Sequence, residues 1–225
     1  MAIAEQISLI NKQLNDSNAR LIVVTKTRSI EELQETYAAG ALEFGENRVQ
    51  EMVEKQAVLP EDILWHQIGH LQTNKVKYIA PFVHLIHSVD SLNLLKEINK
   101  QGAKNKRVIN CLLQIFIATE ESKFGLDFKE AEALLADASF AEMKHIRIVG
   151  LMGMASFTAD EEQIRREFKS LADFFQELKN NKTGVSTGLV EWTELSMGMS
   201  GDYLIAAELG ATLVRVGSAI YGPRH

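Results

Sequence analysis

One lysine and two glycine-bearing turns are the features of this sequence best suited to chemistry. Lys26 closes the run Leu21-Ile22-Val23-Val24-Thr25, which reads as a strand buried on both faces. Burial disfavours the charged ammonium and frees the amine for attack on a carbonyl carbon. The alternative is a lysine that snorkels to water at a strand end. Toward the C-terminus, Ser196-Met197-Gly198-Met199-Ser200-Gly201-Asp202 and Arg215-Val216-Gly217-Ser218-Ala219 each leave an apolar run through glycine. A helix is expected to begin near Ser200, and free main-chain N–H groups at such turns bind an anion without a cationic side chain. Taken singly, each is equally an ordinary capped turn.

The elements that must position these groups follow from periodicity. Apolar runs at Leu21–Lys26, Leu42–Glu46, Leu64–Gly69, Leu85–Val89, Val108–Ile117, Ile146–Met154, Leu195–Gly198 and Leu213–Gly217 read as eight strands. Between them lie helix starts: Ser29 with Glu32, Asp127 with Glu130, Asp90 before a Leu-rich stretch, and Asp160 before a run of carboxylates. Ile164, Phe168, Leu171, Phe175 and Leu178 place an apolar stripe on the segment after Asp160. Eight buried strands alternating with helices predict an α/β fold, a parallel (β/α)8 barrel. The 225 residues suffice for one such barrel over 1–225 and leave none for a second β domain. The polar stretch Asn180–Gly188 is too short to divide two domains. A doubly wound sheet is the other architecture, but its glycine-rich phosphate turn is replaced here by Thr25-Lys26-Thr27-Arg28.

On a β/α barrel, function sits at the C-terminal strand ends. Those ends carry Lys26, Glu46-Asn47, His66 and Gly69, His87-Ser88, Met152 to Met154, Ser196 to Ser200, and Arg215 to Ser218. Barrels commonly seat a phosphate after the seventh and eighth strands. An anion site there, with an apolar-embedded lysine across the barrel, describes a phosphorylated aldehyde held as a Schiff base, and pyridoxal 5'-phosphate fits.

The residues also carry a resemblance. Val23–Thr27, Phe44–Glu51, His66–Lys75, Glu120–Gly125, Gly150–Met152, Leu195–Ser200 and Val214–Gly222 resemble, in order and over nearly the whole chain, the pyridoxal-phosphate homeostasis (YggS/PROSC-like) family. That family is similar in fold to the barrel domain of bacterial alanine racemase, fold type III. The resemblance implies a covalent aldimine on Lys26 and Arg215 pointing at the pyridine nitrogen. It places Ser200, Gly217 and Ser218 around the phosphate and Asn47 and Met154 beside the cofactor. Ser196, Met197, Gly198 and Met199 complete the expected cofactor-binding set. Many relatives have a proline shortly after the lysine segment, where this chain has Arg28-Ser29, so the resemblance does not extend to the shape of the first βα loop.

A cation at the pyridine nitrogen disfavours its protonation and weakens the ring as an electron sink. Racemisation also needs a proton donor on the face opposite the lysine, a role that in racemases resembles that of a tyrosine from a second domain or subunit. The expectation is a monomeric carrier, with little or no turnover, that buffers the cofactor and delivers it to apo-enzymes. The rivals are a fold-type III racemase or related enzyme, and a Schiff-base aldolase without cofactor.

Composition excludes other classes. Thirty acidic against 24 basic residues give a net charge of -6, which offers nothing to a nucleic-acid backbone. No apolar run is long enough to span a membrane, no leader is evident, and a lone Cys111 cannot form an internal disulfide, so a cytoplasmic location is expected. His66 and His70 lack the helix and glutamate of a zinc motif, so they and His84 and His87 are read as satisfying local hydrogen bonds, with no metal. Ser196 and Ser200 have no nucleophile elbow, and Glu120-Glu121 and Glu161-Glu162 suit surfaces. Asn74-Lys75-Val76-Lys77 reads as a solvated face or a docking point. Met152, Met154, Met197 and Met199 are core fillers or packing for a flat ring.

Overall fold

Each strand-forming run pairs in parallel with its sequence neighbours, and the last pairs with the first, so the sheet closes in the order β1 to β8. The computed structural model describes residues 2–118, 125–184 and 188–222. Among these, the strands are β1 (Arg20–Val24), β2 (Glu43–Glu46), β3 (Leu64–Gln67), β4 (Leu85–Val89), β5 (Ile109–Phe116), β6 (Ile146–Met154), β7 (Val190–Ser196) and β8 (Leu213–Val216). The expected (β/α)8 barrel is the fold, and closure through Arg20↔Leu213 to Val23↔Val216 excludes an open doubly wound sheet. The Glu120–Phe124 part of one resembling segment, and 185–187 of the expected polar stretch, lie outside the described residues.

Helices cover the outside. They are α1 (Ile3–Leu14), α2 (Ile30–Ala38), α3 (Val49–Gln56), α4 (Val76–Ile79), α5 (Leu92–Lys104), α6 (Phe128–Ala136), α7 (Ala138–Ala141), α8 (Glu161–Asn180), α9 (Tyr203–Glu208) and α10 (Ser218–Tyr221). Capping boxes at Ser29/Glu32 and Asp127/Glu130 start α2 and α6, and Asp160 caps α8 through the N–H groups of Glu162 and Gln163. The stripe Ile164, Phe168, Leu171, Phe175 and Leu178 is buried against the sheet. Among the described residues no helix is long and apolar enough to cross a membrane.

Strand side chains alternate between two cores. One lies between sheet and helices and includes Val23, Phe44, Trp65 and Val214. The other, inside the barrel, is Ile22, Leu85, Leu112, Val149, Met152 and Leu213. This inner set fixes which residues face the mouth: every second position onward on the same strand points inward again.

Three local expectations are corrected. β7 runs Val190–Ser196 rather than Leu195–Gly198, because buried Val190, Trp192 and Leu195 are interleaved with exposed or half-buried Glu191, Thr193 and Glu194, which hides the strand from a search for continuous apolar runs. The α5 cap is Ser91, whose Oγ accepts from the Leu94 N–H, and not Asp90. The helix expected at Ser200 begins instead at Tyr203, since the Asp202 carboxylate folds back onto the Met199 N–H and holds residues 199–202 as a turn.

Candidate functional site

The inward parity converges at the C-terminal strand ends on a cavity of ≈ 540 Å³. Val24 and Lys26 reach it two and four residues beyond interior Ile22, and Gln114 two beyond Leu112. Arg215 and Gly217 reach it two and four beyond Leu213, and Met154 two beyond Met152. Asn47, Met199, Ser200 and Ser218 complete the expected lining set. Ser196, Met197 and Gly198 are not on its wall: Ser196 is buried beneath it, Met197 is in the outer core, and Gly198 makes the turn leaving β7. Met154 and Met199 are therefore cavity residues, while Met152 and Met197 are core fillers.

Lys26 is half-buried in the β1–α2 turn. The main chain around it is clamped by a buried ionic cluster that sequence reasoning missed. Lys55 Nζ on α3 donates to Thr25 O, Glu46 Oε1 and Glu51 Oε1, each at 2.7 Å. Thr25 Oγ1 donates to Glu46 Oε1 at 2.6 Å, and the Thr27 N–H donates to Glu51 Oε1 at 2.5 Å. Thr27 takes a left-handed φ of 64°, a conformation that non-glycine residues adopt only when surroundings enforce it. Burial raises the Glu46 carboxyl above its ordinary range, with Lys55 opposing. The sequence signal was the Glu51–Lys55 spacing of four on a helix face.

The anion turn is beside the lysine turn, not across the barrel from it. Closure makes β8 the neighbour of β1, and a Cβ on Gly217 would stand 3.1 Å from Val24. Here the N–H groups of Gly217 and Ala219 both point at Ser200 Oγ, at 3.2 and 3.3 Å. Gly198 lets α9 pack closely on the turn leaving β7: its φ is +92°, and a Cβ would meet the Ala206 Cβ at 2.6 Å.

Arg215 forms the floor. Its Nη1 donates to Ser196 Oγ at 2.5 Å and its Nη2 to Gly153 O at 3.1 Å, so the guanidinium plane is fixed from two sides. Burial pushes its pKa down to about 10, with Asp202 opposing, and it stays charged at neutral pH. Burial raises the Asp202 carboxyl, countered by its bond from Met199 N–H and by Arg215.

The histidines separate. His66 and His87 are fully buried and bonded to one another, while His70 is exposed at the cavity edge, 3.5 Å from Asp90. Among the described residues no group of three or more His, Cys, Asp or Glu could hold a metal ion.

Fold and site together define a barrel of the alanine racemase N-terminal domain class, whose family model matches residues 1–225. The pyridoxal phosphate homeostasis protein of Aquifex aeolicus is 38% identical over 207 residues, covering 92% of this chain and 87% of that protein. PipY of Synechococcus elongatus, solved without pyridoxal phosphate, superposes with a TM-score of 0.88 at 34% identity, covering 98% of this chain and 100% of PipY. Solved with pyridoxal phosphate bound, PipY gives a TM-score of 0.85 at 33% identity over the same shares. The chain belongs to the pyridoxal phosphate homeostasis protein family.

Proposed function

We propose that this protein binds pyridoxal 5'-phosphate in the barrel mouth, with Lys26 as its Schiff-base anchor, and serves as a carrier that buffers the cofactor and releases it to apo-enzymes with little or no turnover. The observation that carries the reading is the adjacency of the two turns. In pyridoxal phosphate the aldehyde and the phosphomethyl group occupy neighbouring ring carbons, and the ring nitrogen lies on the side opposite the aldehyde. Lys26 in the turn after β1 and the Gly217/Ala219 N–H pair following β8 are neighbours in the same way, and Arg215 lies deeper on β8, where a ring entering from the mouth would bring its nitrogen. The cavity volume falls within the roughly 300–1,000 Å³ of small-molecule sites.

In this reading Gly217, Ala219, Ser200 and Ser218 hold the phosphate, Arg215 faces the ring nitrogen, and Asn47, Met154 and Met199 border the ring. The buried cluster around Lys55 holds the lysine turn. When bound, the cofactor supplies a conjugated chromophore and an electron sink. The guanidinium keeps that sink weak, because it disfavours a proton on the ring nitrogen. The carrier reading takes the protein as one domain, monomeric and cytoplasmic.

Absorbance tests it. Purified protein mixed with pyridoxal phosphate is expected to gain a band near the visible edge that borohydride removes, with the label mapping to Lys26. Lys26→Ala is expected to lose the band. A wild-type protein that never gains it sinks the proposal. Sustained racemisation or decarboxylation of single-enantiomer amino acids by the loaded protein replaces the carrier with the racemase-type reading, and borohydride trapping of a carbonyl substrate on colourless protein selects the aldolase.

A further inference from the structure

Beneath the cavity a line of buried polar side chains runs down the barrel axis. Arg215 donates to Ser196 Oγ at the top, and that oxygen lies 3.0 Å from His87 Nδ1. His87 Nε2 lies 3.0 Å from His66 Nδ1. Ser196, His87 and His66 are all fully buried.

The guanidinium only donates, which fixes the first link, and the neutral state of both rings gives the direction inferred for the others. Ser196 Oγ accepts from it, so the hydroxyl proton goes to the acceptor within reach, His87 Nδ1. Burial, with His66, Arg215 and His84 nearby, holds His87 well below the ordinary histidine range, so the ring is neutral. Its proton is then on Nε2 and is donated to His66 Nδ1. His66, also held neutral by burial with His84 and Arg20 nearby, is left with an N–H at Nε2. That atom has no hydrogen-bond partner among the described residues and faces Glu43 Oε2 at 3.6 Å, itself without a hydrogen-bond partner. Glu43 is held by Arg20 at 3.0 Å. His66 and Arg20 line a separate polar cavity of ≈ 180 Å³ at the N-terminal strand ends, with His84, Arg147, Glu191 and Glu194.

We propose that Ser196, His87 and His66 are positioning residues for Arg215: a one-way donor chain, ending at His66 with its last N–H turned toward Glu43, that fixes the guanidinium in the cavity floor. The chain orients and does not deliver protons, because a guanidinium releases none near neutral pH. The consequence for ligand holding rests on the functional reading above; the chain itself does not.

Two measurements test it. In ¹⁵N-labelled protein without cofactor, His66 and His87 are expected to be neutral Nε2–H forms from about pH 6 to 8, and Ser196→Ala is expected to move the ring ¹⁵N shifts of both histidines. A charged ring in that range, an Nδ1–H form of His87, or Ser196→Ala shifts confined to His87 overturn the relay. In loaded protein, Ser196→Ala is expected to speed pyridoxal phosphate release by about tenfold or more, as for loss of one hydrogen bond to a charged group. His84→Gln, which touches the His66 ring at 5.3 Å between centroids but is outside the chain, is expected to leave release unchanged. Equal release from wild type and Ser196→Ala overturns the positioning role. A protein that takes up no cofactor rejects the functional reading while the resonance result still decides the relay.

Discussion

Lys55 shows how much a single buried charge can govern a site it does not touch. Its ammonium is the one cation bonded to both Glu46 and Glu51 among the described residues, and it also holds the Thr25 carbonyl next to Lys26. Removing it leaves a buried carboxylate without its counter-charge, and Lys55→Met is expected to cost about 3–5 kcal/mol near neutral pH. The sign of the pH dependence follows from Glu46, whose carboxyl burial raises above its ordinary 4.5. The folded state binds that proton more readily than the unfolded chain, so stability falls as pH rises from there. Lys55 opposes that rise, so the variant's deficit in urea unfolding is expected to be larger at about pH 7 than at about pH 5; equal deficits would remove Glu46 from the account. Lys26 and Arg215 were legible in the sequence because each punctuates an apolar run. Lys55 was not, because on a helix surface a lysine four residues from a glutamate reads as solvated, and only the close approach of α3 to the β1 turn buries it.

Elements were legible where one signal sufficed and illegible where two competed. The boxes of α2 and α6 are spelled out locally, and both form. At β7, packing within the barrel won over a solvent-facing pattern, and at α9 the Asp202 side chain won over the helix-start reading of Ser200. The packing of α9 on the turn after β7 depends on Gly198, where any side chain is strained by φ and crowded by α9. Gly198→Ala is expected to lower stability by roughly 2 kcal/mol or more, read as a lower urea midpoint with an unchanged slope. An unchanged midpoint would show that the turn relaxes around a Cβ.

For the molecule as a whole, periodicity alone foretold the closed eight-stranded sheet, but not the ladder of polar groups inside it, since inward-facing histidines on β3 and β4 look in sequence like any strand-end imidazole. Their burial has a global consequence. His66 and His87 are held well below 6.5, so below that pH the unfolded chain binds more protons and stability is lost as pH falls. With both rings neutral when folded, the loss approaches about 2–3 kcal/mol per pH unit, at roughly 1.4 kcal/mol per proton. Glu46 offsets part of this slope, so urea midpoints across the window check it, and midpoints that rise as pH falls would contradict two neutral buried rings. The seam between β1 and β8 reaches further still, into biosynthesis. On the proposed reading, a nascent polypeptide still lacking β8 displays the reactive amine without the phosphate seat, so only a finished molecule can sequester the vitamin derivative.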